Sequence, residues 1–173
     1  MPHRQLVFTV PRRLRLHFRY DRTLLAKLAH AAYRVVARAL GEALGRRDAV
    51  PGGIAAIQTL GSLLDYHPHV HLLVTWGGFA KDGTFVPAPE VPAEALEKLF
   101  QHEVLKILLR EGAIQQDLVE NLLSWTHSGF HAHVGHEIDG ADRPASRPSP
   151  STSPAAPSLS SVSRSMRPAR RRR

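Results

Sequence analysis

Three histidines, His67, His69 and His71, take alternate positions in the run YHPHVHLLVT, residues 66–75. Their neighbours are mostly apolar and β-branched, which predicts a strand. In a strand, side chains two apart share a face. His69 and His71 then point one way, and Val70, Leu72 and Val74 point the other. Two neutral imidazoles about 7 Å apart at the backbone can converge on one divalent cation. His67 has the same parity, but Pro68 is expected to end the strand between them. A pair of histidines is only half of a metal site. The same spacing also describes two hydrogen-bonded surface histidines.

Other residues could share this chemistry. His127, His131, His133 and His136 crowd HSGFHAHVGH, and His131 and His133 repeat the first spacing. The plainest reading of His131 and His136 is a solvated edge strand. Arg12, Arg13, Arg15 and Arg19 follow the first predicted strand. They are read as a connection whose guanidinium forks suit phosphate oxygens, or as a solvated loop. The tyrosines are Tyr20, Tyr33 and Tyr66, and none follows residue 66. Tyr33 sits beside the apolar stripe of a predicted helix and reads as a core residue.

The elements that must position these groups alternate along the chain. HRQLVFTV (3–10) predicts a strand ending before Pro11. Asp21 is a good cap for a helix through RTLLAKLAHAAYRVVARALGEAL, whose apolar residues at 25, 28, 29, 32, 36, 39 and 40 give one buried face. PGG at 51–53 marks a turn, and IAAIQTLG (54–61) predicts a second strand. HVHLLVTW (69–76) predicts a third, expected to be central because it is apolar nearly throughout. GGFAKDGTFVP (77–87) reads as a hairpin connection. Pro92 opens a helix through AEALEKLFQHEVLKILLREG, and a short helix at 115–123 follows. GFHAHVGH (129–136) predicts a last strand. This order indicates an α+β fold, a sheet with helices on one face.

Composition removes several classes of function. No cysteine is present, so disulfides, thiolate metal sites and cysteine nucleophiles are excluded. No apolar run approaches the roughly 20 residues of a membrane helix. Arg4, Arg12, Arg13 and Arg15 interrupt the apolar stretch a signal peptide needs, so a cytoplasmic protein is expected. The net charge of +8 is uneven. Residues 1–50 hold 11 Lys and Arg against 3 Asp and Glu, residues 51–138 hold 4 against 10, and residues 139–173 hold 8 against 2. A basic front, an acidic middle and a basic tail suggest a polyanion at the basic parts. The tail, from Asp139, has 9 Ser, 6 Pro and 8 Arg in 35 residues. It cannot bury enough apolar area to offset its ordering entropy, so a disordered tail at 139–173 is expected beside a folded core at 1–138.

HPHVHLLVT resembles the histidine–hydrophobe–histidine motif of the HUH endonucleases. LVFTVPRRLRLHFRYDRTLL (6–25), AVPGGIAAIQTLGSLLDYHPHVHLLVTWGGFAKDGTFVP (49–87) and LLSWTHSGFHAHVG (122–135) resemble the two-tyrosine rolling-circle transposases of bacterial insertion sequences. The resemblance covers roughly residues 3–138. It implies an HUH-like antiparallel sheet, incomplete at its C-terminus. It also implies metal-dependent cleavage and joining of single-stranded DNA at insertion-sequence ends through a 5′-phosphotyrosine. On this resemblance His69 and His71 hold Mg²⁺ or Mn²⁺, which polarises the scissile phosphate. His133 and His67 are possible accessory groups, and Arg12, Arg13, Arg15 and Arg19 contact DNA. The family carries its nucleophilic tyrosines on a helix beyond the histidine motif, and this chain has no tyrosine there. A truncated, inactive fragment is therefore expected, with the odd tail as a product of a shifted reading frame. A non-catalytic single-strand DNA-binding fragment, or a metal-binding module without a nucleic-acid role, remains the competing reading.

Overall fold

The computed structural model describes residues 1–46, 48–61 and 65–138; the expected disordered tail lies outside them. In chain order the elements are β1 (His3–Thr9), α1 (Arg12–Tyr20), α2 (Thr23–Ala43), β2 (Gly53–Leu60), β3 (Tyr66–Thr75), β4 (Gly77–Phe79), β5 (Phe85–Pro87), α3 (Ala93–Arg110), α4 (Gln116–Leu123) and β6 (His131–Ile138). Four strands form an antiparallel sheet in the order β2-β3-β1-β6, and β4 and β5 pair as a separate hairpin. The α+β architecture read from the sequence is the one observed. β3 is central, between β2 and β1.

One face of the sheet makes the core. Leu6 and Phe8 of β1 and Val70, Leu72 and Val74 of β3 are fully buried. They belong to one apolar cluster with Leu14 and Phe18 of α1, Leu28 and Val36 of α2, and Phe100 and Leu108 of α3. Phe100 packs on Phe8, with ring centroids 4.8 Å apart, and edge-on to Phe130 at 6.0 Å. Aromatic pairs at such distances add to what area burial alone contributes.

Two elements differ from the sequence reading. Residues 12–20, read as a connection, form the helix α1. Pro11 precedes it, Leu14 and Phe18 face the core four residues apart, and the ridge between them is basic. β3 also begins earlier than expected, at Tyr66 rather than beyond Pro68. The missing amide of Pro68 costs little there. The pairing with β1 ends at His69, and the pairing with β2 slips between Gln58 and Leu60, opposite this point. His67 therefore lies in the strand with the other two histidines.

α2 starts at Thr23, and Asp21 supplies the cap. Its carboxylate accepts from the Thr23 amide at 2.9 Å and the Thr23 hydroxyl at 2.6 Å. Those bonds hold its pKa below the ordinary carboxylate value.

Candidate metal centre and nucleic-acid interface

The face of the sheet opposite the core carries the histidines. His67, His69 and His71 are half-buried there, and Pro68, Val70 and Leu72 are buried on the other side. Neighbouring rings stand close, with centroids 5.3 Å apart for His67 and His69 and 5.0 Å for His69 and His71.

Hydrogen bonds fix how these rings are presented. His69 Nδ1 donates to the carbonyl of His67 at 2.7 Å. That bond places the proton on Nδ1 and leaves Nε2 with its lone pair, the arrangement a metal-ligating imidazole adopts. His69 Nε2 stands 3.2 Å from Gln58 Oε1; with the proton on Nδ1 both atoms are acceptors, so this is a contact and not a hydrogen bond. Gln58 is its direct cross-strand partner on β2. His71 Nδ1 accepts from the Gln5 amide nitrogen on β1 at 3.2 Å, which leaves the proton of the neutral ring on Nε2. The Nε2 atoms of His71 and His67 are buried and have no hydrogen-bond partner among the described residues. A buried polar atom without a partner is costly. Water would satisfy either tautomer, and a cation would satisfy the one with its lone pair on Nε2, which for His71 requires the Gln5 amide to turn its oxygen to Nδ1.

Charge state favours the same chemistry. Burial pushes the His71 pKa below its usual value, and His69 beside it adds to the effect. The His67 pKa is lowered first by burial and then by the charges of Arg15 and His69. Both rings therefore stay neutral to lower pH than an exposed histidine, which is the form that ligates metals.

The register separates the second histidine group from the first. Ala56, His71, Val7 and His133 form one row across the four strands, and Gln58, His69, Thr9 and His131 form the next. His133 thus faces the same side as His71. β1 stands between them, and two strand spacings amount to about 10 Å. His131 turns to α3, with Nδ1 3.4 Å from Glu97 Oε2. Among the described residues no three His, Asp or Glu side chains are grouped to hold a metal ion. The donor set at the centre is accordingly two imidazoles flanked by the amides of Gln58 and Gln5. These two residues were not singled out in the sequence. Gln58 is marked only as an amide in a mostly apolar strand, and Gln5, beside His3 and Arg4, carries no signal of its own.

The arginines lie on α1 rather than in a loop. Arg12, Arg15 and Arg19 follow one another at three- and four-residue steps and so share a helical ridge. Arg12 and Arg19 are exposed. Arg15 bonds Asp65 at 3.2 Å, just before β3, and its charge reaches His67. Arg13 points elsewhere, donating to Asn121 at 3.3 Å. The ridge borders the entry to the histidine strand.

No tyrosine joins the histidines. Tyr33 donates to the carbonyl of Pro51 at 2.7 Å. Tyr66 has the parity of Val70 and packs against the core cluster. Tyr20 is 83% exposed at the end of α1.

Comparison with known proteins gives this arrangement a family. The transposase for insertion sequence element IS801 of Pseudomonas savastanoi pv. phaseolicola is 42% identical over 84 residues, 49% of this chain and 20% of that protein. The "Putative transposase y4qJ" of Sinorhizobium fredii (strain NBRC 101917 / NGR234) is 30% identical over 107 residues, 60% of this chain and 27% of that protein. The chain thus corresponds to only a fifth to about a quarter of the length of these relatives. No solved structure matches. The family model Y2_Tnp, described as "Putative transposase", matches residues 52–140, just over half of the chain. That span takes in β2, the histidine strand and everything through β6, and the chain belongs to the Y2_Tnp transposase family.

Proposed function

We infer that this chain is the histidine-bearing part of an HUH-class DNA transposase, which binds a divalent cation and single-stranded DNA on the open face of its sheet. The observation that carries the reading is the pairing of His69 and His71 on one face of the sheet, with ring centroids 5.0 Å apart and the lone-pair Nε2 of His69 beside the buried Nε2 of His71, which becomes a ligand once Gln5 turns its amide oxygen to Nδ1. His69 and His71 would hold Mg²⁺ or Mn²⁺. When bound, the cation would polarise a phosphodiester and offset its developing charge. Imidazole ligands favour Mn²⁺ on affinity. The His67 carbonyl orients the His69 ring and Gln5 the His71 ring, and Arg15 adds positive charge beside the site while itself held by Asp65. Arg12 and Arg19 are placed to contact the strand's phosphates.

The chain itself supplies no nucleophile. Its three tyrosines point to solvent, to the Pro51 carbonyl or into the core. The expected activity is therefore metal and single-strand binding without a covalent step. The test incubates the chain with Mn²⁺ and end-labelled single strands, followed by a denaturing gel, with Mn²⁺ binding measured separately by electron paramagnetic resonance. Mn²⁺ binding lost in His69→Ala and His71→Ala, with no labelled band at protein mass, is the expected result. A labelled band that vanishes in Tyr33→Phe or Tyr66→Phe would show an active enzyme. Equal Mn²⁺ binding by the wild type and both histidine variants would remove the metal centre.

A further inference from the structure

We propose that the outer face of α3 and α4 is a second binding track for single-stranded nucleic acid, continuous with the histidine face around the β6 edge of the sheet. It rests on the reading above that the open face binds a single strand, and extends it to a surface on the other side of the molecule.

The charge pattern is the first observation. The segment 51–138 is acidic, with only four Lys or Arg residues. Three of those four, Lys98, Lys106 and Arg110, stand on one ridge of α3 at four- and eight-residue spacing, with His102 filling the gap. Four residues of helix rise about 6 Å, so the ridge offers cationic or donor groups in regular steps over about 18 Å. Arg110 lies 3.5 Å from Glu111, whereas no ion pair holds Lys98 or Lys106 among the described residues. An unneutralised row of this kind carries a small electrostatic cost in the free helix. A polyanion lying along it would remove that cost.

The groove beside the ridge is the second observation. Between α3 and α4 runs a hollow of about 720 Å³ floored by Leu105, Leu109 and Val119. Through Lys98, Gln101 and Leu123 it opens into a second hollow of about 490 Å³, lined by Trp125, His127 and Ser128 and closed by His131. Leu123 is 59% exposed and Trp125 42%. Large apolar side chains standing in solvent beside a cationic ridge match how single strands are held, with phosphates on the charges and bases against apolar or aromatic faces. Glu97 lines the track and is engaged by His131, and Glu120 of α4 lies at its rim, held by the lining Gln116. His131 is also the first residue of β6, and His133, two residues on, faces the same side as His71. A strand leaving the groove at His131 would reach the open face by crossing this edge.

The full chain provides its own reporter. Trp76 is 2% exposed, so Trp125 carries the solvent-facing tryptophan signal. Titration with oligothymidylate of about 16 nucleotides at low salt should quench it as the bases stack. The double variant Lys98→Glu/Lys106→Glu should bind about tenfold more weakly. Its plot of log affinity against log salt should be shallower by about 1.4, the share of two phosphate contacts in single strands. Trp125→Ala should weaken binding about fivefold or more. Both lysines and the tryptophan are exposed, so the thermal midpoints should hold.

Tight binding without quenching, unaffected by the lysine variants but weakened by Arg12→Ala/Arg19→Ala, would overturn the track and leave the open-face reading standing. Absence of any single-strand binding would sink both. If sedimentation shows the wild type dimeric and the lysine double variant monomeric, with DNA affinity unchanged, the ridge is a protein interface and the proposal fails.

Discussion

At the scale of single residues, the site turns on which nitrogen of each ring carries the proton. The Nδ1–H of His69 is tied to a backbone carbonyl, so its Nε2 is committed as an acceptor. Gln5 reaches His71 from the neighbouring strand at Nδ1, the nitrogen away from the metal position, and holds that ring's orientation. Groups that orient a ligand in this way are worth about tenfold to a hundredfold in metal affinity. Gln5→Ala should therefore weaken Mn²⁺ binding about tenfold without unfolding the chain, as measured by metal titration alongside a thermal melt. Unchanged affinity would mean that Gln5 merely neighbours the site.

The lowered histidine pKa values also make a prediction about acid stability. The folded-state pKa values of His67 and His71 lie below the unfolded value of about 6.5. Below that value the unfolded chain takes up protons that the folded chain refuses, so stability falls with falling pH. Their contribution is present above about pH 6.5 and is lost as pH drops through the folded pKa values. His67→Gln/His71→Gln should accordingly show a smaller loss of thermal midpoint than the wild type between about pH 7.5 and pH 5. Parallel pH profiles for the two proteins would contradict this. That His69 and His71 share a face was legible in the sequence, because alternation is a local property of a strand. Gln58 and Gln5 were not, because the register that sets them opposite His69 and beside His71 is fixed only when β2 and β1 pair with β3.

At the scale of elements, the sequence was clearest where the pattern was long. α2 and α3 each sustain an apolar period over about five turns, and both appear where expected. α1 was missed because it is short and its pattern misleads. Leu14, Leu16 and Phe18 fall at alternate positions, which is the period of a strand rather than a helix. The structure resolves the ambiguity by burying Leu14 and Phe18, four apart, and leaving Leu16 52% exposed. That division is testable. Phe18→Ala should cost about 3–5 kcal/mol of unfolding free energy, the usual range for a buried aromatic. Leu16→Ala should stay within about 0.5 kcal/mol, as surface changes do. Denaturant unfolding of the two variants measures both, and equal losses would mean the helix is turned differently. The early start of β3 was hidden for a related reason. Proline normally ends a strand, and its tolerance at position 68 depends on where β1 stops and where β2 slips, neither of which the local sequence encodes.

At the scale of the molecule, the charges sort by surface more sharply than the sequence segments suggested. The basic front resolves into the α1 ridge of Arg12, Arg15 and Arg19 at the entry to the histidine strand, while Arg34, Arg38 and Arg46 are tied to Glu103, Glu42 and Asp48. Among the described residues no helix is long and apolar enough to cross a membrane. A polyanion meeting the open face would find Arg12 and Arg19 exposed and without an ion pair among the described residues, whereas Arg15 is engaged by Asp65. Each phosphate contact in a single strand contributes about 0.7 to the slope of log affinity against log salt. Arg12→Ala/Arg19→Ala should flatten that slope by about 1.4, with the same loss on strands of different base sequence, because phosphate contacts carry no sequence information. Arg13→Ala should change the slope little, since that side chain is spent on Asn121 on another side of α1. The comparison is read from fluorescence anisotropy of labelled single strands across a salt series. If Arg13→Ala flattens the slope as much as the double variant, the strand crosses α1 on a different ridge, and the placement of the nucleic acid along Arg12 and Arg19 is wrong.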